Sequence, residues 1–312
     1  MRKTGKKIAI YLAVIFLVSA LIPAATGTTL KVEKRIQQQA EKPVSDENIY
    51  VPDDYPTIQE AVDHARSGDT IIVRDGTYIE NVVIDKPHLT IKSENGSKKC
   101  IVKAKSQSKP VFEIDEDYIA LTGFTIMGRS YGILLLRSQN NEITNNVISN
   151  NAGDGISLLY SRNNNIENNI ISNNERIGID LTYSQNNIIA NNEISENEGW
   201  GIILEGSSNN NDITENRISK NGWGIYLDRS YCNKIHCNNF ENNNLQAKFL
   251  YDGLLDLLFA IFFPNRWYGN YWSDYGGSGD YVIEGQVVIH MIFWEYTIQW
   301  RNYDRSPSTE PN

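Results

Sequence analysis

The pair Gly-Ile recurs at Gly132-Ile133, Gly155-Ile156, Gly178-Ile179, Gly201-Ile202 and Gly224-Ile225, an unbroken spacing of 23 residues. A leucine stands two residues beyond each isoleucine (Leu135, Leu158, Leu181, Leu204, Leu227), and a serine three further on (Ser138, Ser161, Ser184, Ser207, Ser230). Isoleucine returns at Ile143, Ile166, Ile189, Ile213 and Ile235, and again at Ile148, Ile171, Ile194 and Ile218, with Phe240 ending the last column. Alternate apolar residues on short runs face one side of a strand, and each copy holds too few of them to bury a face alone. Copies must therefore stack, strand on parallel strand about 4.8 Å apart, around one apolar core. That is an all-β parallel β-helix. A leucine-rich horseshoe needs a denser leucine pattern and a looser arc per repeat.

Asparagine fills the remaining slots of the period. Residues 140–244 hold 29 Asn in 105 positions, which without the register would read as a disordered polar tract. Two columns are expected to be amide ladders at the bends, each side chain bonded to the next coil. One is Asn140, Asn163, Asn186 and Asn209, with Cys232 in the fifth copy; the other is Asn146, Asn169, Asn192, Asn216 and Asn238. The glycine before each isoleucine is expected to supply backbone freedom at a corner. About seven or eight coils are expected between residues 70 and 245.

Arg2, Lys3, Lys6 and Lys7 precede the apolar run Ile8–Ile22 and the small residues Ala24, Ala25 and Gly27, the pattern of a signal peptide over residues 1–27. Retention of that run as an anchor is the alternative. Either way the chain is expected to be exported, to the periplasm, cell surface or medium. Residues 28–48 read as a spacer, 49–245 as the β-helix with its N-terminal cap, and 246–312 as an aromatic-rich C-terminal cap. The net charge of −9, or −13 without the first four cations, and the lack of a later basic cluster argue against a nucleic-acid partner. Three cysteines are too few for a disulfide framework.

Thr57 and Glu60 form a capping box for a short helix within Pro56–Gly68, with apolar residues at Ile58, Ala61, Val62 and Ala65. Short β-rich runs follow at Thr70–Val73, Asn81–Ile84, Leu89–Ile91, Val111–Ile114 and Ile119–Ile126. Leu254–Phe263, apolar except for Asp256, is too short to span a bilayer. It is expected to fold over the last coil or to touch a membrane or envelope surface.

Coils of the form Asn-x-x-Ile-x-x-Asn-x-Ile-Ser-x-Asn-x-x-Gly-Ile resemble the parallel β-helix repeats of the NosD-like and carbohydrate-binding/sugar-hydrolase families. The opening segment Asp54–Val62, with Gly68-Asp69-Thr70-Ile71 and Gly76-Thr77-Tyr78, is similar to the start shared by those proteins and by pectin methylesterases. Arg266–Tyr275 and Tyr303–Pro307 resemble the closing segment of prokaryotic NosD-like surface proteins. The resemblance implies a right-handed β-helix, export, and a role on polysaccharide or in copper-site maturation. It also implies calcium through an Asp/Gly-rich tail, of which only Gly276-Gly277-Ser278-Gly279-Asp280 is present. Copper would favour Met, Cys and His, yet the chain has three Met, one of them the initiator, and four scattered His.

Residues alternating with the inward Ile and Leu face outward. Stacking then places Trp200 beside Trp223 and Glu205 beside Asp228, with Tyr226 between the columns. Apolar ring faces next to hydroxyl acceptors suit a sugar chain, so these five are the expected polysaccharide-binding residues, unless the C-terminal segment covers the tryptophans. Acids one coil apart, about 5 Å, also match a retaining glycosidase pair, which makes Glu205, Asp228 and Asp180 the candidates for a lyase, hydrolase or epimerase. No Asp-Phe-x-Phe-Gly, Trp-x-Asp-His or Gly-His-Gly motif of β-helix enzymes occurs, and binding without catalysis is the favoured expectation. Cys232, His236 and Cys237 are the cluster closest in composition to a metal site, with Cys232 expected to be a buried thiol in the asparagine column.

Overall fold

The computed structural model of the chain describes residues 47–291 and 294–312; the expected signal segment and nearly all of the spacer lie outside the described residues. Three parallel sheets wrap one core. The first runs from Val82–Ile84 through Ala247–Asp252 to Tyr281–Met291, the second from Asn48–Val51 to Arg266–Tyr268, and the third from Gly76–Ile79 to Tyr271–Trp272. Register follows the 23-residue period: Ile133, Ile156, Ile179, Ile202 and Ile225 are successive partners, and all are fully buried. The Leu135 column and the Ile143 and Ile148 columns are buried equally completely.

Eight of the nine strands of the third sheet lie between residues 70 and 245, matching the seven or eight coils expected there, and the solenoid has about nine coils in all. The extra coil comes from beyond residue 245. Asn265, Trp267, Asn270 and Trp272 continue the columns of Asn233, Ile235, Asn238 and Phe240, 32 residues on. The excess over the usual period is taken up by the nine-residue helix Leu254–Phe262, extruded from the corner between the first and second sheets. Tyr281–Met291 and Trp294–Asp304 then pair antiparallel, and Asp304 rejoins the second sheet beside Trp267.

The helix starts as expected at Thr57, whose side chain accepts from the Glu60 N–H, and Ile58–His64 buries Ile58, Ala61 and Val62 over the first coils. Glu80 accepts from the N–H groups of Ile58 and Gln59, and Lys86 donates to the Val62 and Ala65 carbonyls, so each helix end meets the charge its dipole favours. The run Ile119–Ile126 is two strands, Ala120–Thr122 and Thr125–Met127, separated by Gly123 at φ 83°.

Two expectations about the repeat are corrected. Asn140, Asn163, Asn186 and Cys232 are not ladder residues; they are corner residues with φ of 56 to 58°. The ladder lies one residue on, at Asn141, Asn164, Asn187, Asn211, Asn233 and Asn265, all buried. Asn164 shows the pattern: its N–H and its Nδ2 both donate to Asn187 Oδ1 (2.9 and 3.1 Å), and Nδ2 also reaches the Ser138 carbonyl (3.2 Å). The Asn146 column is a ladder as expected, and Asn151, Asn174, Asn197, Asn221 and Asn243 form a third. The glycines before isoleucine serve space, not backbone freedom. A Cβ on Gly178 would come within 2.5 Å of the Gly201 carbonyl and 2.6 Å of Ile194 Cγ2, because the chain there passes directly over the core.

Candidate functional site

The outer face of the first sheet breaks the monotony of the repeat over the strands Ile156–Leu159, Ile179–Thr182, Trp200–Glu205 and Trp223–Asp228. Register aligns Trp200 with Trp223, Ser157 with Asp180, Asp180 with Ile203, Ile203 with Tyr226, and Thr182 with Glu205. Three of the expected binding residues cluster: Trp200 packs against two residues of the next coil, Trp223 (centroids 4.9 Å, planes tilted by 30°) and Tyr226 (4.9 Å, planes 18° apart). Trp223 is 42% exposed, so the C-terminal segment does not cover the pair, and the outer indole face is open to a flat ligand.

Beside this cluster lies a row of oxygens. The Thr182 hydroxyl is within reach of Asp180 Oδ1 (3.0 Å) and Glu205 Oε1 (3.2 Å), and Ser157 Oγ approaches Asp180 Oδ2 (3.4 Å). One hydroxyl proton serves one carboxylate at a time, so the row has acceptors to spare for sugar hydroxyls. Burial, reinforced by the nearby Asp154 charge and only partly opposed by the Thr182 and Ser157 hydroxyls, pushes the Asp180 carboxyl up to about 7. Asp154, 2% exposed, is also raised by burial, despite Arg176 at 3.8 Å and the Ile177 N–H. Asp228 takes a different role: one oxygen meets Arg229 at 3.0 Å, and the other is buried without a partner among the described residues. The acid that shares a donor with Glu205 is therefore Asp180.

The candidate metal residues are spread out. Cys232 is a half-buried corner residue, its Sγ 3.9 Å from the Phe263 carbonyl, which corrects the expectation of a buried thiol. Cys237 occupies another corner, at φ 54°. His236 is engaged by Asp212 (2.8 Å) and Thr214 (3.2 Å) and stacks on Tyr268. Among the described residues no group of three or more His, Cys, Asp or Glu could hold a metal ion. The helix Leu254–Phe262 leaves Leu254, Leu255, Phe259, Ile261 and Phe262 exposed, and no described helix is long and apolar enough to cross a membrane.

Where the chain leaves the first sheet it forms a groove of about 360 Å³ that the sequence did not suggest. Tyr160 and Tyr183 stack there, centroids 5.0 Å apart and planes within 5°, both about half exposed. Tyr183 lies flat against Gly206, where an added Cβ would come 2.7 Å from its ring. Arg162 donates to the Gln139 side chain at 2.9 Å, and Arg137 forms the outer wall. A sequence signal existed: five residues after each repeat glycine the column reads Arg137, Tyr160, Tyr183, Gly206, Arg229, with no asparagine.

Residues 62–277 match the sequence model of a family described as periplasmic copper-binding protein (NosD). A cell surface glycoprotein of Methanothermus fervidus is 39% identical over 105 residues, 33% of this chain; the match spans only 17% of that protein's length. Among solved structures, pectate lyase Pel9A superposes with a TM-score of 0.54 over 78% of this chain and 75% of that one, at 12% identity. At that identity the likeness establishes the fold, a pectate-lyase-like β-helix.

Proposed function

The chain belongs to the NosD family, and from that footing we propose that it is an exported β-helix that binds polysaccharide through the outer face of its first sheet. The observation that carries this reading is the Trp200–Trp223–Tyr226 cluster, with Trp223 exposed, on the same sheet face as the oxygen row of Asp180, Thr182 and Glu205. A pyranose offers an apolar face and a rim of hydroxyls, and this surface offers the complement of both. Export is supported by the family's periplasmic description, by the name of the glycoprotein relative, and by the N-terminal apolar run.

Trp223→Ala removes the exposed ring of the cluster and leaves the inward Gly224 and Ile225 in place. On a glycan array, or by titration with the glycan it identifies, this variant is expected to bind about tenfold more weakly than wild type with an unchanged melting temperature. Unchanged binding would remove the platform.

Catalysis on the bound glycan is a second reading, favoured by the raised Asp180 carboxyl. A carboxyl poised near 7 is protonated enough at neutral pH to act as a general acid. Release of reducing ends would then fall as the pH rises through about 7, where Asp180 loses its proton, and would vanish in Asp180→Asn.

Copper does not fit the donors that the described residues bring together. Cys232 and Cys237 sit at separate corners and the His236 ring is already held on both nitrogens, so no binding step is assigned to the metal. The Gly276–Asp280 segment brings a single carboxylate.

A further inference from the structure

The groove beyond Thr182 has features that a structural corner does not need. Each coil turns through left-handed residues, and at other corners asparagine is the commonest occupant, as in Asn140, Asn163 and Asn186 or Asn145, Asn168 and Asn191, beside His88, Tyr118, Glu196, Glu215 and Lys220. Asparagine is the side chain that tolerates this conformation most readily after glycine. At the exit of the first sheet no asparagine occupies the slot, which holds Arg137, Tyr160 and Tyr183 at φ 54, 54 and 50°, then Gly206, and Arg229 at 48°.

The groups themselves define the ligand. Arg74, Arg176, Arg217, Arg229 and Arg301 all have carboxylate partners. Arg137 and Arg162, like Arg66, Arg129, Arg266 and Arg305, have none among the described residues, and the one side-chain partner of Arg162 is the neutral Gln139 amide. What sets Arg137 and Arg162 apart is that they line one groove, where Asp117 is taken up by the Gln139 N–H (2.8 Å) and Nε2 (2.9 Å) and the two guanidinium groups offer forked donors suited to a planar or tetrahedral oxyanion. The Tyr160 and Tyr183 rings offer a flat apolar wall, and the Gln139 and Gln185 amides lie in register with Arg162 across three coils. At about 360 Å³ the space suits a sugar unit or two. Asp180 and Glu205 lie on the flat of the sheet, before the corner, so the surface changes sign across it.

We propose that this groove, built from Arg137, Gln139, Tyr160, Arg162, Tyr183 and Gln185, is a subsite for the charged unit of an anionic glycan, one bearing a carboxylate or a sulfate ester. The proposal rests on the glycan-binding reading above and adds the substrate class to it. The tyrosines stack the ring, the arginines hold the anion, and the adjoining oxygen row and tryptophan cluster take the next units.

The test is titration of the full chain with an oligogalacturonate, a sulfated galactan and a neutral galactan, which separate carboxylate from sulfate and both from the uncharged backbone. Wild type is expected to bind at least one anionic probe about tenfold tighter than the neutral one. Arg137→Gln/Arg162→Gln is expected to lose that preference and keep its binding to neutral galactan. Tyr160→Asn/Tyr183→Asn restores the usual corner residue, so it is expected to melt no lower than wild type while losing the anionic probe, a result that a purely structural tyrosine pair would not give. Undiminished anionic binding in the arginine variant overturns the subsite. If in addition Trp223→Ala alone abolishes binding, the polysaccharide reading survives without it; if wild type binds no glycan at all, both fall.

Discussion

Replacing Asn169 by alanine is expected to destabilise the solenoid by about 4 kcal/mol, roughly 10 °C in melting temperature, whereas Asn163→Ala costs about 1 kcal/mol. The two asparagines belong to one coil and share a composition argument, but not a physical one. Asn169 Oδ1 accepts from the Asn146 N–H (3.0 Å) and Nδ2 (3.2 Å), while its own Nδ2 donates to the carbonyls of Ile143 (2.8 Å) and Glu167 (3.0 Å). Deleting it strands several groups in a site with 1% exposure, each at a cost of about 1–3 kcal/mol, softened by relaxation. Asn163 is exposed, and its side chain satisfies only the left-handed corner at φ 56°. Asn163→Gly should therefore be close to neutral, while Asn169→Gly should be at least as damaging as alanine. Urea or thermal melts followed by far-UV circular dichroism measure all four; equal losses at both positions would refute the ladder assignment.

The confusion between those columns shows how far one sequence reaches. The period fixed the inward Ile and Leu, because an apolar residue every 23 positions has only one side of a strand to occupy. It left the bends ambiguous wherever two asparagines adjoin, as in Asn140-Asn141 and Asn163-Asn164. The clue is in the fifth copy: Cys232 replaces the first of the pair, whereas Asn233 keeps the second, and the column that tolerates replacement is the exposed one. The tail was harder to read, because nine inserted helical residues move Asn265 and Asn270 out of the period while leaving them in the ladders. Its helix, Leu254–Phe262, carries an apolar composition without an interior to enter.

The candidate site was legible where the repeat fails outright. Trp200, Trp223, Tyr226 and Glu205 stand out against a polar column, and the structure brings them onto one face. Pairing acids by coil number suggested Glu205 with Asp228; in the structure Asp228 is also engaged by Arg229. Asp180 gains its importance from burial and from Thr182, which no spacing rule encodes. The corner groove escaped notice because tyrosine and arginine at a bend look like ordinary surface until the backbone angle is known.

The end of the solenoid supplies the second large effect. Asp304→Ala is expected to cost about 4 kcal/mol and to loosen the final coil, whereas Asp304→Asn should lose about half as much. Asp304 is fully buried and stands where the Asn146–Asn270 ladder would need its next rung. Its Oδ2 accepts from the Asn270 N–H (3.1 Å), Asn270 Nδ2 (2.9 Å) and the Trp272 indole (3.2 Å), and its Oδ1 accepts from the Ser306 N–H (3.1 Å). Four donors converge, so a group that only accepts is required, and a carboxylate supplies charge-assisted bonds to all of them. An amide at 304 keeps the three bonds on one oxygen and turns an N–H toward the Ser306 N–H, which is why its loss should be partial. Alanine strands all four and frees the strand Trp294–Asp304 from Trp267, the point at which the hairpin rejoins the second sheet. Trp272, stacked between Phe240 (4.4 Å) and Tyr281 (4.2 Å), would then sit at an open edge able to pair with another copy. Size-exclusion chromatography with parallel thermal melts tests this: Asp304→Ala should melt about 10 °C lower and shift toward larger species, and Asp304→Asn should remain at the wild-type elution volume. A wild-type melt for Asp304→Ala would mean that the aromatic stack alone closes the core.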